Sequence, residues 1–395
     1  MSLVVYSQTP VDRSALKAHL LRMLEPLGHM SAVIRSGDRV LIKPNFVAPF
    51  FHAVTRFELL EAIISIVKDC GGKPILGESS GFEFDTETTF KILGVHDFAR
   101  KIQVPLINFD KTEFVPIQLE KGFSKKVEIP RIVFESDVII NVPKLKQHNL
   151  TKATIGIKNL FGFLSLNSRR RIHVLGLEKS IHALAKAIKI DLVVVDGSVI
   201  TSRAVFGSRK RVDLIAVSRN IYAADVFCCP YLGLNHNDVE HIRLTVAEDP
   251  DNAQFDIVKI EDGGKKKNTR FNSATKRIAP SHETFGKRLH RFAYRVIYFI
   301  DLIYSNMSRR GSLLPKIHYY FGIRPYIEKK QCNLCGECVP ICPVNAIRLP
   351  EKKIDGKSCM IVRCLKCISA CPEKAISIKG REKDESIYSI ADEKR

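Results

Sequence analysis

The sequence predicts an α/β protein, a mostly parallel sheet with helices on both faces, followed by a small C-terminal α+β unit held together by cysteines. Three observations predict it. Short apolar runs alternate with stretches of helical period across residues 1–261. The runs are apolar at successive positions, as in Val138-Ile-Ile-Asn-Val142 and Leu192-Val-Val-Val195, which is the pattern of strands covered on both faces. Eight of the eleven cysteines then fall between 332 and 371. In order, the spacing predicts a strand over Leu3 to Tyr6, a helix over Asp12 to Leu24, a strand over Arg39 to Ile42, a helix over Arg56 to Cys70 and a strand over Lys73 to Leu76.

In sheets of this kind ligands gather at the carboxyl ends of the strands, so the polar residues that follow each strand are the ones to read. Lys43 and Asn45 follow the second strand, and Glu78, Ser79 and Ser80 the third. Lys144, Lys146 and His148, then Lys158 and Asn159, come after Val142, and Asp196 comes after Val195. Any one of them taken singly reads first as a turn residue or a helix cap. As a set they predict one shared, cationic pocket, with Lys43, Asn45, Lys144, His148, Lys158 and Asn159 as its candidate catalytic residues. Lysine donates and cannot accept, so such a site favours phosphate, carboxylate or an enolate-like intermediate. His148 is either a proton shuttle or a hydrogen-bonding turn residue. Neither a P-loop, a Gly-x-Gly-x-x-Gly segment nor a Gly-x-Ser-x-Gly elbow occurs, which disfavours nucleotide binding by those routes and a serine nucleophile.

The cysteines form two runs, Cys332-x2-Cys335-x2-Cys338-x3-Cys342-Pro343 and Cys359-x4-Cys364-x2-Cys367-x3-Cys371-Pro372. Three closely spaced thiolates wrap three corners of a cubane while the fourth, stiffened by proline, points at a neighbouring cluster, so two runs describe two iron–sulfur clusters. Around them the chain repeats, Cys342-Pro-Val-Asn-Ala-Ile-Arg-Leu349 against Cys371-Pro-Glu-Lys-Ala-Ile-Ser-Ile378, which predicts two related halves that each end in a short strand. A disulfide framework is disfavoured because the N-terminal residues lack a secretory pattern, and zinc because its sites use paired C-x2-C units. Cys70, Cys228 and Cys229 sit in apolar stretches and read as small buried hydrophobes.

Residues 326 to 380 resemble a bacterial-type two-cluster ferredoxin. The resemblance implies two [4Fe–4S] clusters, one on Cys332, Cys335, Cys338 and Cys371 and the other on Cys342, Cys359, Cys364 and Cys367. The second run departs from the family by its longer first spacing, with Ile361 at the usual cysteine slot. Either Cys359 reaches in over a longer loop, or three thiolates hold a [3Fe–4S] cluster. Upstream, Leu41-Ile-Lys-Pro-Asn45, Val142-Pro-Lys-Leu-Lys146 with His148, Gly156-Ile-Lys-Asn-Leu-Phe-Gly162, Val195-Asp-Gly197 and Ala224-Asp225 occur in the order seen in the domain of unknown function 362 family, which they resemble over residues 39 to 233. After Gly197 the family tends to have Glu-Gly and a glycine–proline turn, whereas this chain reads Ser198-Val-Ile-Thr-Ser.

The division expected is an α/β domain at 1–261, a basic linker at 262–325, the two-cluster domain at 326–380 and a charged tail at 381–395. Net charge is +20, and residues 262–330 carry 16 Lys+Arg against 4 Asp+Glu. From about Glu283 to Met307, Phe285, Leu289, Phe292, Val296 and Ile303 recur at helical spacing among arginines. Such a helix packs on its own protein, docks an acidic partner or lies on an anionic membrane surface. No nucleic-acid motif accompanies the charge, and no run is apolar enough to cross a membrane, so a cytoplasmic protein is expected. Two functions remain open. In one the clusters pass electrons to or from an anionic substrate or cofactor in the N-terminal pocket, as in an oxidoreductase; in the other the chain is a non-catalytic carrier or accessory protein docking a redox partner.

Overall fold

The computed structural model describes residues 2–8, 11–81, 84–120, 126–202, 209–261, 266–272, 325–356, 358–359 and 366–378, and 296–297, 299–300 and 303–304 in the linker. Thirteen strands belong to the N-terminal domain: β1 (Ser2–Ser7), β2 (Arg39–Lys43), β3 (Lys73–Glu78), β4 (Leu106–Asn108), β5 (Phe114–Gln118), β6 (Lys126–Pro130), β7 (Val138–Asn141), β8 (Lys146–His148), β9 (Lys152–Thr154), β10 (Leu192–Thr201), β11 (Arg209–Ser218), β12 (Gln254–Ile260) and β13 (Lys266–Asn272). Nine form one sheet in the order β13-β12-β1-β11-β10-β7-β2-β3-β4, so the sheet runs past the expected domain end at 261 by one strand, β13, which pairs with β12. Only β11 and β13 run against the rest, so the sheet is mostly parallel.

Strand residues alternate between two apolar cores, which is why the runs are apolar throughout. Val40, Ile42, Val138, Ile140, Leu192 and Val194 face the helices Arg13–Leu24 and Phe57–Asp69. Leu41, Ile139, Val193 and Val195 face the helices Leu177–Ala187 and Ile221–Cys228 on the other side. Helices thus cover both faces, as expected. The stretch after Gly197 does not turn. β-branched Val199, Ile200 and Thr201 extend β10, which pairs antiparallel with β11 past an irregularity between Gly197 and Val199.

In the C-terminal unit β14 (Pro325–Ile327) pairs with β17 (Ile376–Ile378), and β15 (Ile347–Arg348) with β16 (Lys353–Ile354), all antiparallel. The sequence repeat is also a repeat of geometry. Asn345 and Lys374 both take left-handed backbone, with φ of 48° and 50°. The next amides, of Ala346 and Ala375, each donate to a cysteine Sγ at 3.2 Å, Cys342 and Cys371 respectively. Each half then enters its short strand. The unit's core includes residues of the large domain: Ala48, Phe50, Ala53 and Phe84 share one apolar cluster with Ile327, Cys338, Cys367 and Ile368. Most of the amphipathic segment expected over 283–307 lies outside the described residues. Among the described residues no helix is long and apolar enough to cross a membrane.

Candidate functional site

β10, β7, β2 and β3 are neighbours and mutually parallel, so their carboxyl ends share one edge of the sheet. At that edge Lys43, fully buried at the end of β2, forms an ion pair with Glu78 at the end of β3. Its Nζ also donates to the Pro44 carbonyl at 3.2 Å and lies 5.3 Å from the centre of the Phe163 ring. Burial weakens both charges, raising the Glu78 carboxyl to about 7 against the pull of Lys43 and lowering the Lys43 ammonium. Gly162 is required beside the pair, because a Cβ there would stand 2.7 Å from both Glu78 Oε1 and Lys43 Nζ.

One turn further along the chain, Asn45 donates from Nδ2 to Asn159 Oδ1 at 2.8 Å. Asn159 in turn donates to Asn141 Oδ1 at 2.8 Å and to the Pro44 carbonyl at 3.1 Å. Lys146 Nζ closes the network, donating to Asn45 Oδ1 at 2.8 Å and to the Ala53 carbonyl at 2.7 Å. Burial, then repulsion by Lys144 and Lys158, holds the Lys146 ammonium well below the ordinary lysine range. Lys144 turns to the β10 side, where its Nζ meets Asp196 Oδ2 at 3.2 Å and Ser198 Oγ at 3.1 Å. Burial alone would raise the Asp196 carboxyl, but the Lys144 and Arg56 charges, the Arg56 N–H and the Ser198 hydroxyl outweigh it and bring it down to about 2.

His148 ends β8, half-buried, and its Nδ1 accepts from the amides of Leu150 and Thr151 at 3.2 and 3.3 Å. Burial first, then the charges of Lys158, His173 and Lys146, keep its imidazole well below the ordinary range. Lys158 lies in the short helix Gly156–Asn159, whose first amides bond to Asp225 at 2.7 and 3.0 Å. Lys158 is 8% exposed, and its Nζ stands 4.1 Å from the centre of the Phe161 ring. Of the six residues singled out, Lys43, Asn45 and Asn159 thus join directly through Pro44 and one another. Lys144 stands beside them on Asp196, and His148 and Lys158 form a second, less saturated side. Lys146 is the hub that the six left out. Arg169, 2% exposed, was not foreseen at all; its guanidinium pairs with Asp110 and donates to the Ser80 carbonyl. Its place in the run Ser168-Arg-Arg-Arg171 looks like a solvated charge cluster, and its partners are 59 and 89 residues away.

In the C-terminal unit Cys332, Cys335, Cys338 and Cys371 line one cavity with Ile327, Leu349 and Ile376. Among the described residues no three His, Cys, Asp or Glu side chains gather in the way a single metal ion requires. Four cysteines lining one cavity match the ligand count of a cubane, and an amide donating to the Sγ of Cys371 suits a thiolate ligand. Cys342 has the matching amide bond and packs against the apolar cluster that contains Cys338 and Cys367; of the second run Cys359 and Cys367 are described and Cys364 is outside the described residues.

Two family matches fall on these two sites. "Domain of unknown function (DUF362)" matches residues 40–230, and "4Fe-4S binding domain" matches residues 325–348. The chain thus carries a DUF362 domain over residues 40–230, fused to a ferredoxin-type 4Fe-4S motif over residues 325–348. A thylakoid-associated protein of Synechocystis sp. is 28% identical over 235 residues, covering 57% of this chain and 72% of that protein. A ferredoxin of Pyrobaculum islandicum is 41% identical over 58 residues, 14% of this chain and 51% of its own length, so only half of that ferredoxin is spanned. The lactate racemase apoprotein of Thermoanaerobacterium thermosaccharolyticum superposes with a TM-score of 0.40 at 15% identity, over 58% of this chain and 57% of that one. The DUF362 match runs from β2 through the end of the Ile221–Cys228 helix and so contains every lysine of the site.

Proposed function

We propose that this DUF362–ferredoxin fusion is an oxidoreductase in which two [4Fe–4S] clusters exchange electrons with an anionic ligand held at the lysine site. Cys332, Cys335, Cys338 and Cys371 hold one cluster; Cys342, Cys359, Cys364 and Cys367 hold the other. Each cluster, when bound, takes up and gives back one electron.

The observation that carries this reading is the double use of the loop 44–54. Its Asn45 side chain and Ala53 carbonyl bind Lys146, while Ala48, Phe50 and Ala53 pack in one apolar cluster with Cys338, Cys367 and Ile368. Lys366, beside Cys367, reaches the Ile92 carbonyl of the large domain at 3.0 Å. A few residues of chain therefore separate the buried Cys338 and Cys367 from the lysines, and charge on that side of a redox centre is poorly screened, which strengthens its electrostatic coupling to the lysines. An independent carrier has no need of such a seat.

A second reading has its own support. Cys335 is exposed, and Leu334, Val339 and Ile341 near it are 49%, 37% and 40% exposed. An apolar rim at a cluster edge is a surface on which a redox partner docks. The test separates the two. Protein purified anaerobically is heated to release its small molecules, and that fraction is added to reconstituted protein whose clusters have been reduced. The oxidoreductase reading expects the visible absorbance of oxidised clusters to return in the wild type and not in Lys158→Ala with intact clusters. Absorbance that returns only with an acceptor protein supports the carrier instead.

A further inference from the structure

The buried cations of the site are not equally satisfied. Glu78 answers Lys43, Asp196 answers Lys144 and Asp110 answers Arg169. Lys146 has two neutral acceptors. Lys158 alone of these five has no acceptor and no carboxylate within ion-pair reach among the described residues, although it is 92% buried. The nearest carboxylate influence on it, Glu178, is held by His241, whose Nδ1 lies 2.6 Å from Glu178 Oε2. Lys43 and Arg169 add repulsion, and burial ahead of all of these brings the Lys158 ammonium down to about 8.

After burial, the Lys158 charge is the first cause that lowers the His148 imidazole, and His148 ends β8 only ten residues before Lys158. Because its Nδ1 accepts two backbone N–H groups, the neutral ring carries its proton on Nε2. Lys158 thus offers a largely buried ammonium, set over an aromatic face, that has no hydrogen-bond acceptor among the described residues. Leaving a buried charge uncompensated costs far more than pairing it, so the arrangement is that of a site completed by a ligand. We propose that Lys158, together with the Nε2–H of His148, binds one anionic oxygen group, carboxylate or phosphate, of the ligand at this site. The proposal rests on the functional reading above for the ligand's place, and it splits the site: Lys43, Lys144, Lys146, Asn45 and Asn159 are its frame, and Lys158 and His148 touch the ligand.

The intact, cluster-loaded chain is exposed briefly to N-hydroxysuccinimidyl acetate, which acylates neutral amines. Modification of each lysine is read by peptide mass spectrometry in sodium chloride, sodium phosphate and sodium acetate of equal ionic strength. One or both oxyanions are expected to slow Lys158 by about tenfold, the effect of one charge-assisted hydrogen bond. The 85%-exposed Lys189 should not respond. Protection by phosphate alone assigns a phosphate, and protection by acetate assigns a carboxylate. His148→Gln is expected to weaken the protection. The proposal is overturned if Lys158 is slowed no more than Lys189, or stays unmodified in chloride while Lys189 reacts fully. No electron moves in this experiment, so protection without cluster re-oxidation would leave the anion site standing and remove only the redox reading.

Discussion

Lys43→Met is expected to destabilise the folded protein by about 3–5 kcal/mol at pH 8, the cost of leaving one member of a buried ion pair without the other. Both groups are nearly inaccessible, Lys43 at 0% and Glu78 at 3%, so water cannot replace the lost partner. The loss depends on pH in a defined direction. The Glu78 carboxyl is raised in the fold from an ordinary 4.5 to about 7, so the native state holds the extra proton across that window and stability falls as pH rises through it. Without Lys43 the carboxyl moves higher still and the fall continues past neutrality. Chemical unfolding of the full chain, followed by helix signal, should show a small deficit at pH 5 and the full one at pH 8. Lys43→Met with Glu78→Gln should recover most of it, since both charges are then gone. An unchanged midpoint in the single variant would mean that the pair does not hold the edge of the sheet together.

Reconstituted protein is expected to carry about eight irons per chain, and Cys332→Ser and Cys364→Ser to lose about four each, if each thiolate serves a different cubane as proposed. Cys359→Ser decides the long spacing in the second run. Loss of about four irons means that Cys359 ligates across the longer loop, and unchanged iron with unchanged spectra means that it does not. Iron near zero with stoichiometric zinc would remove the iron–sulfur assignment.

Much of this molecule is legible in its sequence, for physical reasons that also mark where reading stops. The strands were readable because burial on both faces demands successive apolar residues, as in Val138 to Ile140, and the cysteine runs because a cubane fixes ligand spacing. Lysines at strand ends were readable because parallel topology brings carboxyl ends together. What each lysine does there was not. Lys146 takes a backbone carbonyl, that of Ala53, and a carbonyl leaves no mark in sequence. Asn141 ends β7 and looks like a flaw in the apolar run Val138 to Val142, yet it donates to the Gly156 carbonyl at 2.9 Å and accepts from Asn159. Asp225 binds the amides of Gly156 and Ile157, 69 and 68 residues away in sequence, and an amide leaves no mark there either. The seat of the cysteine unit was equally silent, because Phe50 and Phe84 read as ordinary loop hydrophobes until the fold sets them beside Cys338 and Cys367.

The central claim is that two clusters sit in one unit docked on the loop that builds the lysine site, and iron-edge anomalous diffraction from crystals of the reconstituted full chain tests it most directly. The account predicts two iron peaks per chain, one within Cys332, Cys335, Cys338 and Cys371 and one within the second set, with Phe50 and Ala53 packed against the unit that holds them. A single peak, or a cysteine unit standing clear of residues 44–54, would contradict it.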